Sequence, residues 1–188
     1  MSLAIFDGMT FELADRNHVQ LRSMVPSDEA IFRDLYAEVR AAELAQVPWP
    51  AAQKRAFCDS QYSLQDKHYR THYHDLCCLA ICRQYELDAP RVIGRLYLSH
   101  YDTSLHVMDI ALFAIEQRKG IGSQLMQAVI RHANDGGETL RLHVELHNPA
   151  KRLYEKLGFI AVGEAGVYQE MVRRPNGSQV MPRDEKFL

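Results

Sequence analysis

Long hydrophobic runs are missing from this 188-residue chain, and none approaches the roughly 18 apolar residues that a membrane-spanning helix requires. An excess of either charge is missing too. The 22 basic and 24 acidic residues leave a formal net charge of −2, which gives no footprint for a nucleic-acid partner. Met1 to Asp7 lack the basic and apolar regions of a secretion signal, so a cytoplasmic protein with no membrane partner is expected. Cysteine is scarce: Cys58, Cys77, Cys78 and Cys82. With His68, His72 and His74 nearby they invite a metal reading, because His68 and His72 are spaced to share a helix face. Against it, Leu76-Cys77-Cys78-Leu79-Ala80-Ile81-Cys82 reads as a buried strand, where reduced cysteines act as small hydrophobes. We therefore expect core thiols and no metal.

Internal repeats and composition breaks are also lacking. The length suits one domain able to bury roughly two-thirds of its unfolded surface. The expected organisation is a polar lead-in over 1–16, a single domain over 17–174 and a polar tail with a Pro-Asn-Gly turn over 175–188. Two phosphate-binding signatures are absent as well. No Gly-x-x-x-x-Gly-Lys-Ser/Thr occurs, and the nearest approach to Gly-x-Gly-x-x-Gly fails at Leu125.

What is present begins with alternation and helical periodicity. Strands are expected over 18–25, 76–83, 91–100, 105–113, 139–146, 159–163 and 167–173. Helices are expected from Ser27-Asp28-Glu29 through the stripe Ile31, Leu35, Val39, and over 51–69 after Pro48-Trp49-Pro50. A third carries the stripe Ile121, Leu125, Met126, Val129, Ile130, and a fourth follows Asn148. Asp88-Ala89-Pro90 should turn between the second and third strands, and Asp135-Gly136-Gly137 should end the third helix.

The densest signal is Gln117-Arg118-Lys119-Gly120-Ile121-Gly122, between an apolar strand and the third helix. Two glycines remove Cβ atoms that would hold a ligand off the backbone, and the first-turn N–H groups and helix dipole favour an anion. Arg118 and Lys119 add full charges. A phosphate or pyrophosphate is the guest this chemistry suits. Further on, Asn148-Pro149-Ala150-Lys151-Arg152-Leu153-Tyr154-Glu155-Lys156-Leu157-Gly158-Phe159 reads as a short helix with an Asn cap, Pro in its first position and a Gly stop.

Gln117-x-x-Gly120-x-Gly122 followed by that Asn-Pro-Ala…Leu-Tyr…Leu-Gly-Phe segment resembles the GNAT superfamily of N-acetyltransferases, over about 106–173. Ala114 stands where that family often has proline. The resemblance implies an α/β (α+β mixed) fold: a mostly antiparallel sheet of six to seven strands, splayed at its centre and flanked by about four helices. It implies acetyl-coenzyme A as co-substrate, held by Leu112, Phe113 and Ala114 along the pantetheine and by Gln117, Arg118, Lys119, Gly120, Ile121, Gly122 and Ser123 at the pyrophosphate. Asn148 and Lys151 are further contacts. It implies a small-molecule or peptide amine as acceptor, and leaves room for a homodimer.

Acetyl transfer to an amine needs a base, an oxyanion donor and an acid for the departing thiolate. The resemblance puts Tyr154 in the acid role; it lies about 100° around the helix from Leu153, so it need not share the core stripe of Leu153 and Leu157. Ile110, Leu112, Leu140, Leu142 and Val144 alternate in phase, so Asp109, Arg141, His143 and Glu145 should share the opposite sheet face. Asp109 is the first candidate base, with an ion pair to Arg141 as its structural alternative. Glu145 and His143 come next, and His106 lies farther from the turn. A backbone N–H near Leu112 or Phe113 would hold the oxyanion. Glu43, Trp49, Tyr62 and Tyr69 fall in the helical region covering the acceptor, where acidic and aromatic groups suit a cation. No cysteine lies near the motifs, so direct attack in a ternary complex is expected rather than an acyl-enzyme. The competing class is a coenzyme A sensor or interaction module that keeps the turn but does no chemistry.

Overall fold

The computed structural model describes residues 2–13, 18–85, 89–101 and 104–175; Asp88 in the expected turn and residues 176–188 of the expected tail lie outside it. Its strands are β1 (Thr10–Glu12), β2 (His18–Ser23), β3 (Cys77–Gln84), β4 (Arg91–Tyr101), β5 (Ser104–Leu112), β6 (Thr139–Glu145), β7 (Ile160–Ala165) and β8 (Tyr168–Arg173). Its helices are α1 (Glu29–Ala45), α2 (Ala51–His72), α3 (Ile121–Gly136) and α4 (Lys151–Lys156). The strands form one eight-stranded sheet in the order β1-β2-β3-β4-β5-β6-β8-β7. All neighbours are antiparallel except β5 and β6. No described helix is long and apolar enough to cross a membrane.

The sheet has one strand more than expected, and it comes from the segment read as a lead-in. Thr10–Glu12 pair with β2, while Leu3, Phe6 and Leu13 are buried in the main core. The segment is too short for periodicity to show, so only its burial reveals it.

Two cores lie on the two sheet faces. On one, α3 seats Ile121, Leu125, Met126, Val129 and Ile130 against Leu96, Leu98, Leu105, Leu140, Leu142 and Val144. Leu140, Leu142, Val144 and the α3 stripe are where alternation and helical spacing assign them, whereas Leu105 reaches this face only because β5 carries a one-residue bulge at Met108. Each such side chain contributes about 1.5–3 kcal/mol by leaving water. On the other face, α1 and α2 cover Ala80, Cys82 and Tyr97 with Phe32, Tyr36, Leu44, Cys58 and Tyr62. All four cysteines are free thiols; burial raises the pKa of each, Cys78 to about 11. Ion pairs staple α1 and α2 at the surface, Arg55 reaching both Asp34 and Asp59.

Three features open the middle of the sheet. The parallel ladder between β5 and β6 runs from Ser104↔Thr139 to Val107↔Leu142 and stops. At that level β5 carries a bulge, because Tyr97 opposes Asp109 while Leu98 opposes Val107, leaving Met108 as the extra residue. A bulge adds local twist and bends its strand. Beyond it β4 keeps hold of β5 through Gly94, where a Cβ would lie 2.3 Å from the Ala111 carbonyl oxygen. The far half of β5 thus leans onto β4 and parts from β6.

Candidate functional site

The gap between β5 and β6 is flanked by the two segments that the sequence singled out. At the end of β5 the chain passes through a 3₁₀ turn, Ala114–Glu116, into the glycine turn. Gly120 sits at φ +83° as the residue before α3, a conformation that suits glycine. Arg118 also has positive φ, at 60°. The first bond of α3 is Gln124 N–H to Gly120 O at 3.0 Å, so the preceding N–H groups of the helix end stay available to an anion. Beyond its chain neighbours and its own helical turn, the described atom nearest to where a Gly122 Cβ would stand is Leu153 Cδ2, at 4.0 Å. The backbone there is open to a guest.

Two of the expected phosphate contacts have internal duties instead. Gln117 turns its Nε2 back to donate to Leu112 O at 2.9 Å, tying the turn to the end of β5. Lys119 Nζ lies 3.1 Å from Glu116 Oε2. Glu116 is buried and also accepts from Arg83 Nη1 and from the Tyr85 hydroxyl. Burial alone would raise its pKa, but the three donors outweigh it and hold the carboxyl below its ordinary range. Arg118 has no ion pair among the described residues, and its exposed guanidinium is the turn's uncommitted charge. Glu116 itself escaped the sequence reading, although its i,i+3 spacing to Lys119 was a signal.

Two backbone groups at the end of β5 also differ from expectation. Phe113 N–H donates to Ile93 O at 3.0 Å, so it is not a free oxyanion donor. Ala114 N–H donates to Glu38 Oε1 at 2.6 Å, a contact from α1 that nothing local announces. By strand alternation the Leu112 N–H points the opposite way from that of Phe113, toward the side vacated by β6.

The second segment places Tyr154. Asn148 Oδ1 accepts from Ala150 N–H at 2.9 Å, and α4 begins two residues later than its cap suggested, at Lys151. Lys151 is half-buried in the first turn. Gly158, at φ +84°, ends the helix and lets Phe159 N–H reach Tyr154 O at 3.0 Å. Tyr154 does not stand clear of the core as expected. It is the buried residue of α4, at 6% exposure, with its ring edge-on to Phe159 at 5.9 Å. The short helix turns this face inward because Phe159 follows immediately and packs beside it. The Tyr154 hydroxyl has no hydrogen-bond partner among the described residues, yet it is not among the side-chain atoms sealed from solvent. Burial, reinforced by the negative charge of Asp109, pushes its pKa up to about 12.

That coupling brings Asp109 and Tyr154 into one electrostatic environment. Asp109 does not pair with Arg141. Its Oδ2 lies 2.6 Å from Arg95 Nη2 on the neighbouring strand, while Arg141 pairs with Glu170 on β8 at 2.5 Å. Arg95 is buried within reach of three rings, Tyr36 at 5.9 Å, Tyr62 at 5.4 Å and Tyr97 at 5.5 Å. The bulge explains the partnership, since it sets Asp109 opposite Tyr97 and beside Arg95. Tyr69 closes the site from α2, its hydroxyl donating to Met108 O at 3.3 Å.

His143 and Glu145 occupy the exposed face of β6, as the alternation requires, opposite Glu170 and Tyr168 of β8. Arg40 of α1 feels the charge of Glu145 and binds Glu43 at 2.8 Å. Trp49 is not brought to the opening by any described contact; its ring packs edge-on against Phe57 at 5.5 Å. Tyr62 is buried against Tyr36 and serves the core. Besides Glu116, the sequence reading missed Arg95, Glu38 and Gly94. A charge inside the apolar strand Ile93-Gly94-Arg95-Leu96 was a usable signal for the first. The other two act only through contacts between distant segments.

This architecture has counterparts among solved structures. A Thermoplasma acidophilum PaiA N-acetyltransferase in complex with coenzyme A superposes with a TM-score of 0.62 at 16% identity, covering 83% of this chain and 98% of that one. A spermidine N-acetyltransferase from Vibrio cholerae, in complex with coenzyme A and spermine, gives 0.57 at 20% identity, covering 85% and 96%. An acetyltransferase from Thermus thermophilus gives 0.55 at 16%, covering 83% and 96%. At such identities the likeness concerns the fold. No curated protein sequence matches the chain. The model of the acetyltransferase (GNAT) family matches residues 35–159, from within α1 through the glycine turn to the end of the Tyr154 segment, and the chain belongs to that family of acyltransferases.

Proposed function

We propose that the protein is an N-acetyltransferase that moves the acetyl group of acetyl-coenzyme A to a primary amine of a small molecule or peptide by direct attack. The observation that carries this reading is the placement of an unpartnered, proton-retaining Tyr154 hydroxyl beside an opening whose other wall ends in an anion-binding turn. The residues fit the co-substrate. Arg118 and the N–H groups from Gly120 to Ser123 would hold the pyrophosphate, with the bare backbone at Gly122 allowing close approach. Leu112 and Phe113 would line the pantetheine, and Asn148 and Lys151 would meet the remainder.

The chemistry follows from the surroundings of each group. The amine nitrogen attacks the thioester carbonyl carbon, and the Leu112 N–H is the backbone donor left for the resulting oxyanion. The carbon–sulfur bond then breaks, and Tyr154 gives its proton to the thiolate. Asp109 keeps that proton on Tyr154, because a second negative charge nearby is unfavourable. The same carboxylate is already engaged by Arg95, 2.6 Å away. We assign the proton released by the amine to Glu145, exposed on β6 and without an ion pair among the described residues. We assign Glu43 and His143 to acceptor binding. The Vibrio cholerae protein bound to spermine favours a polyamine-like cation as the first acceptor to try.

The test is thiol release from acetyl-coenzyme A with a panel of amines, alongside thermal stabilisation by coenzyme A and acetyl-coenzyme A. Turnover that falls about 100-fold in Tyr154→Phe with stabilisation unchanged is the expected result. Absence of stabilisation would overturn the cradle, and stabilisation without turnover on any amine would favour the sensor reading.

A further inference from the structure

At the opposite end of α3 from the glycine turn, roughly 16 Å along the helix at 1.5 Å per residue, three metal-ligating side chains converge. His100 continues the α3-facing row of β4 after Leu96 and Leu98, and His132 continues the stripe of α3 after Leu125 and Val129. Glu138 stands in the connection from α3 to β6. One donor atom from each lies within 4.8 Å of the other two. Glu138 Oε1 is 3.0 Å from His100 Nε2, but the pair lacks hydrogen-bond alignment. His132 is 6% exposed, and its Nε2 has no hydrogen-bond partner among the described residues. A buried nitrogen left unpaired is costly, and interiors seldom tolerate one without a reason.

We propose that His100, His132 and Glu138 bind one divalent transition-metal ion, with zinc the best match. Two imidazoles and a carboxylate are a known zinc donor set, with bonds of about 2.0–2.2 Å, so donors in a tetrahedral site stand about 3.4 Å apart. Binding would draw the three donors, now within 4.8 Å of one another, to that spacing. The Phe6 ring, edge-on to His132 at 5.0 Å, walls one side with apolar surface. His100 also lines an open pocket of about 410 Å³ together with Leu3, His74 and Asp75, which supplies an entry path and room for a water in the fourth position. The ion would clamp the C-terminal part of α3 to β4. The cysteine-histidine grouping weighed and set aside in the sequence is not assembled: among the described residues this is the one group of three or more ligating side chains close enough to hold an ion.

The experiment titrates Zn²⁺ alone into chelator-treated, full-length protein, reading stoichiometry by calorimetry and the unfolding midpoint by a thermal scan. One equivalent should bind, and the midpoint should rise by several degrees, since an ion that binds only the folded state stabilises it. His100→Gln and Glu138→Gln should each weaken binding at least tenfold, with metal-free midpoints close to that of the parent. Co²⁺ should give visible bands of a nitrogen- and oxygen-ligated ion without thiolate charge transfer, and Cys77→Ser with Cys78→Ser should bind as the parent does. No binding, binding that survives the His100 and Glu138 substitutions, or a thiolate band would each overturn the site. If His132→Gln fails to fold, the two Gln variants at His100 and Glu138 still decide the matter.

Discussion

The two sides of the opening between β5 and β6 are built on opposite plans. On the proposed co-substrate side, the turn from Gln117 to Ser123 and the Asn148–Phe159 segment hold themselves mainly by local bonds: Gln117 to Leu112, Lys119 to Glu116, Asn148 to Ala150, Phe159 to Tyr154. On the proposed acceptor side, a buried guanidinium from β4 holds a carboxylate from β5 under rings from α1, α2 and β4. Little of it joins neighbours in the chain. The first plan depends on residues close together in the chain, the second on strand register and on how α1 and α2 pack over the sheet.

The largest effect that would separate the two plans is expected at Arg95. Arg95→Leu leaves Asp109 without its partner in a mostly buried place and should cost about 3 kcal/mol of stability. For a chain of this size that lowers the unfolding midpoint by roughly 6–12 °C. Adding Asp109→Leu should recover most of the loss. A single substitution that leaves the midpoint in place would mean that the ion pair does not organise the acceptor side.

Tyr154→Phe comes next, with kcat about 100-fold lower (about 2.7 kcal/mol) and the midpoint near neutral pH little changed, because the lost hydroxyl has no partner among the described residues. The same variant carries a pH signature. The folded pKa near 12 exceeds the unfolded value of about 10, so this contribution is fully present below pH 10 and is lost as pH climbs toward 12. Alkaline denaturation curves should therefore be shallower in Tyr154→Phe; identical curves would place the ring in ordinary solvent.

Gly122→Val should raise the Kd for acetyl-coenzyme A at least 30-fold (about 2 kcal/mol) while the protein stays folded, since the nearest described atom beyond its own helical turn is 4.0 Å from the added Cβ. Unaltered affinity in equilibrium titration would show that the guest does not approach the backbone there. The smallest effect is expected for Glu38→Gln. It exchanges a charged for a neutral acceptor at Ala114 N–H and should cost about 1 kcal/mol in the thermal scan. It is also the one substitution in this set that links the two sides, since Glu38 belongs to α1 and Ala114 to the end of β5.

Much of this is legible without coordinates. The stripe of α3, the alternation of β5 and β6 and the punctuation around α4 all report on which face meets water. That signal is carried by residues a few positions apart. The short β1 is invisible to it because three residues cannot display a period. Alternation alone offers Arg141 as the partner of Asp109. The one-residue bulge at Met108 changes which side chains stand together, and an insertion of one residue leaves no trace in alternation this short. Angular spacing sets Tyr154 outside the core because it ranks positions within a helix and says nothing of what packs on it from beyond its end.

By itself, then, the sequence determined the order of elements, the glycine turn that opens α3, and the candidate acid, all of which follow from local backbone preference and short-range spacing. Only the tertiary structure decided that Arg95 holds Asp109, that Glu38 and Ile93 occupy the backbone groups after β5, and that His100, His132 and Glu138 meet at the far end of α3. These are contacts between segments remote in the chain, set by strand register and by helix packing across the sheet, and residue spacing along the chain does not encode them.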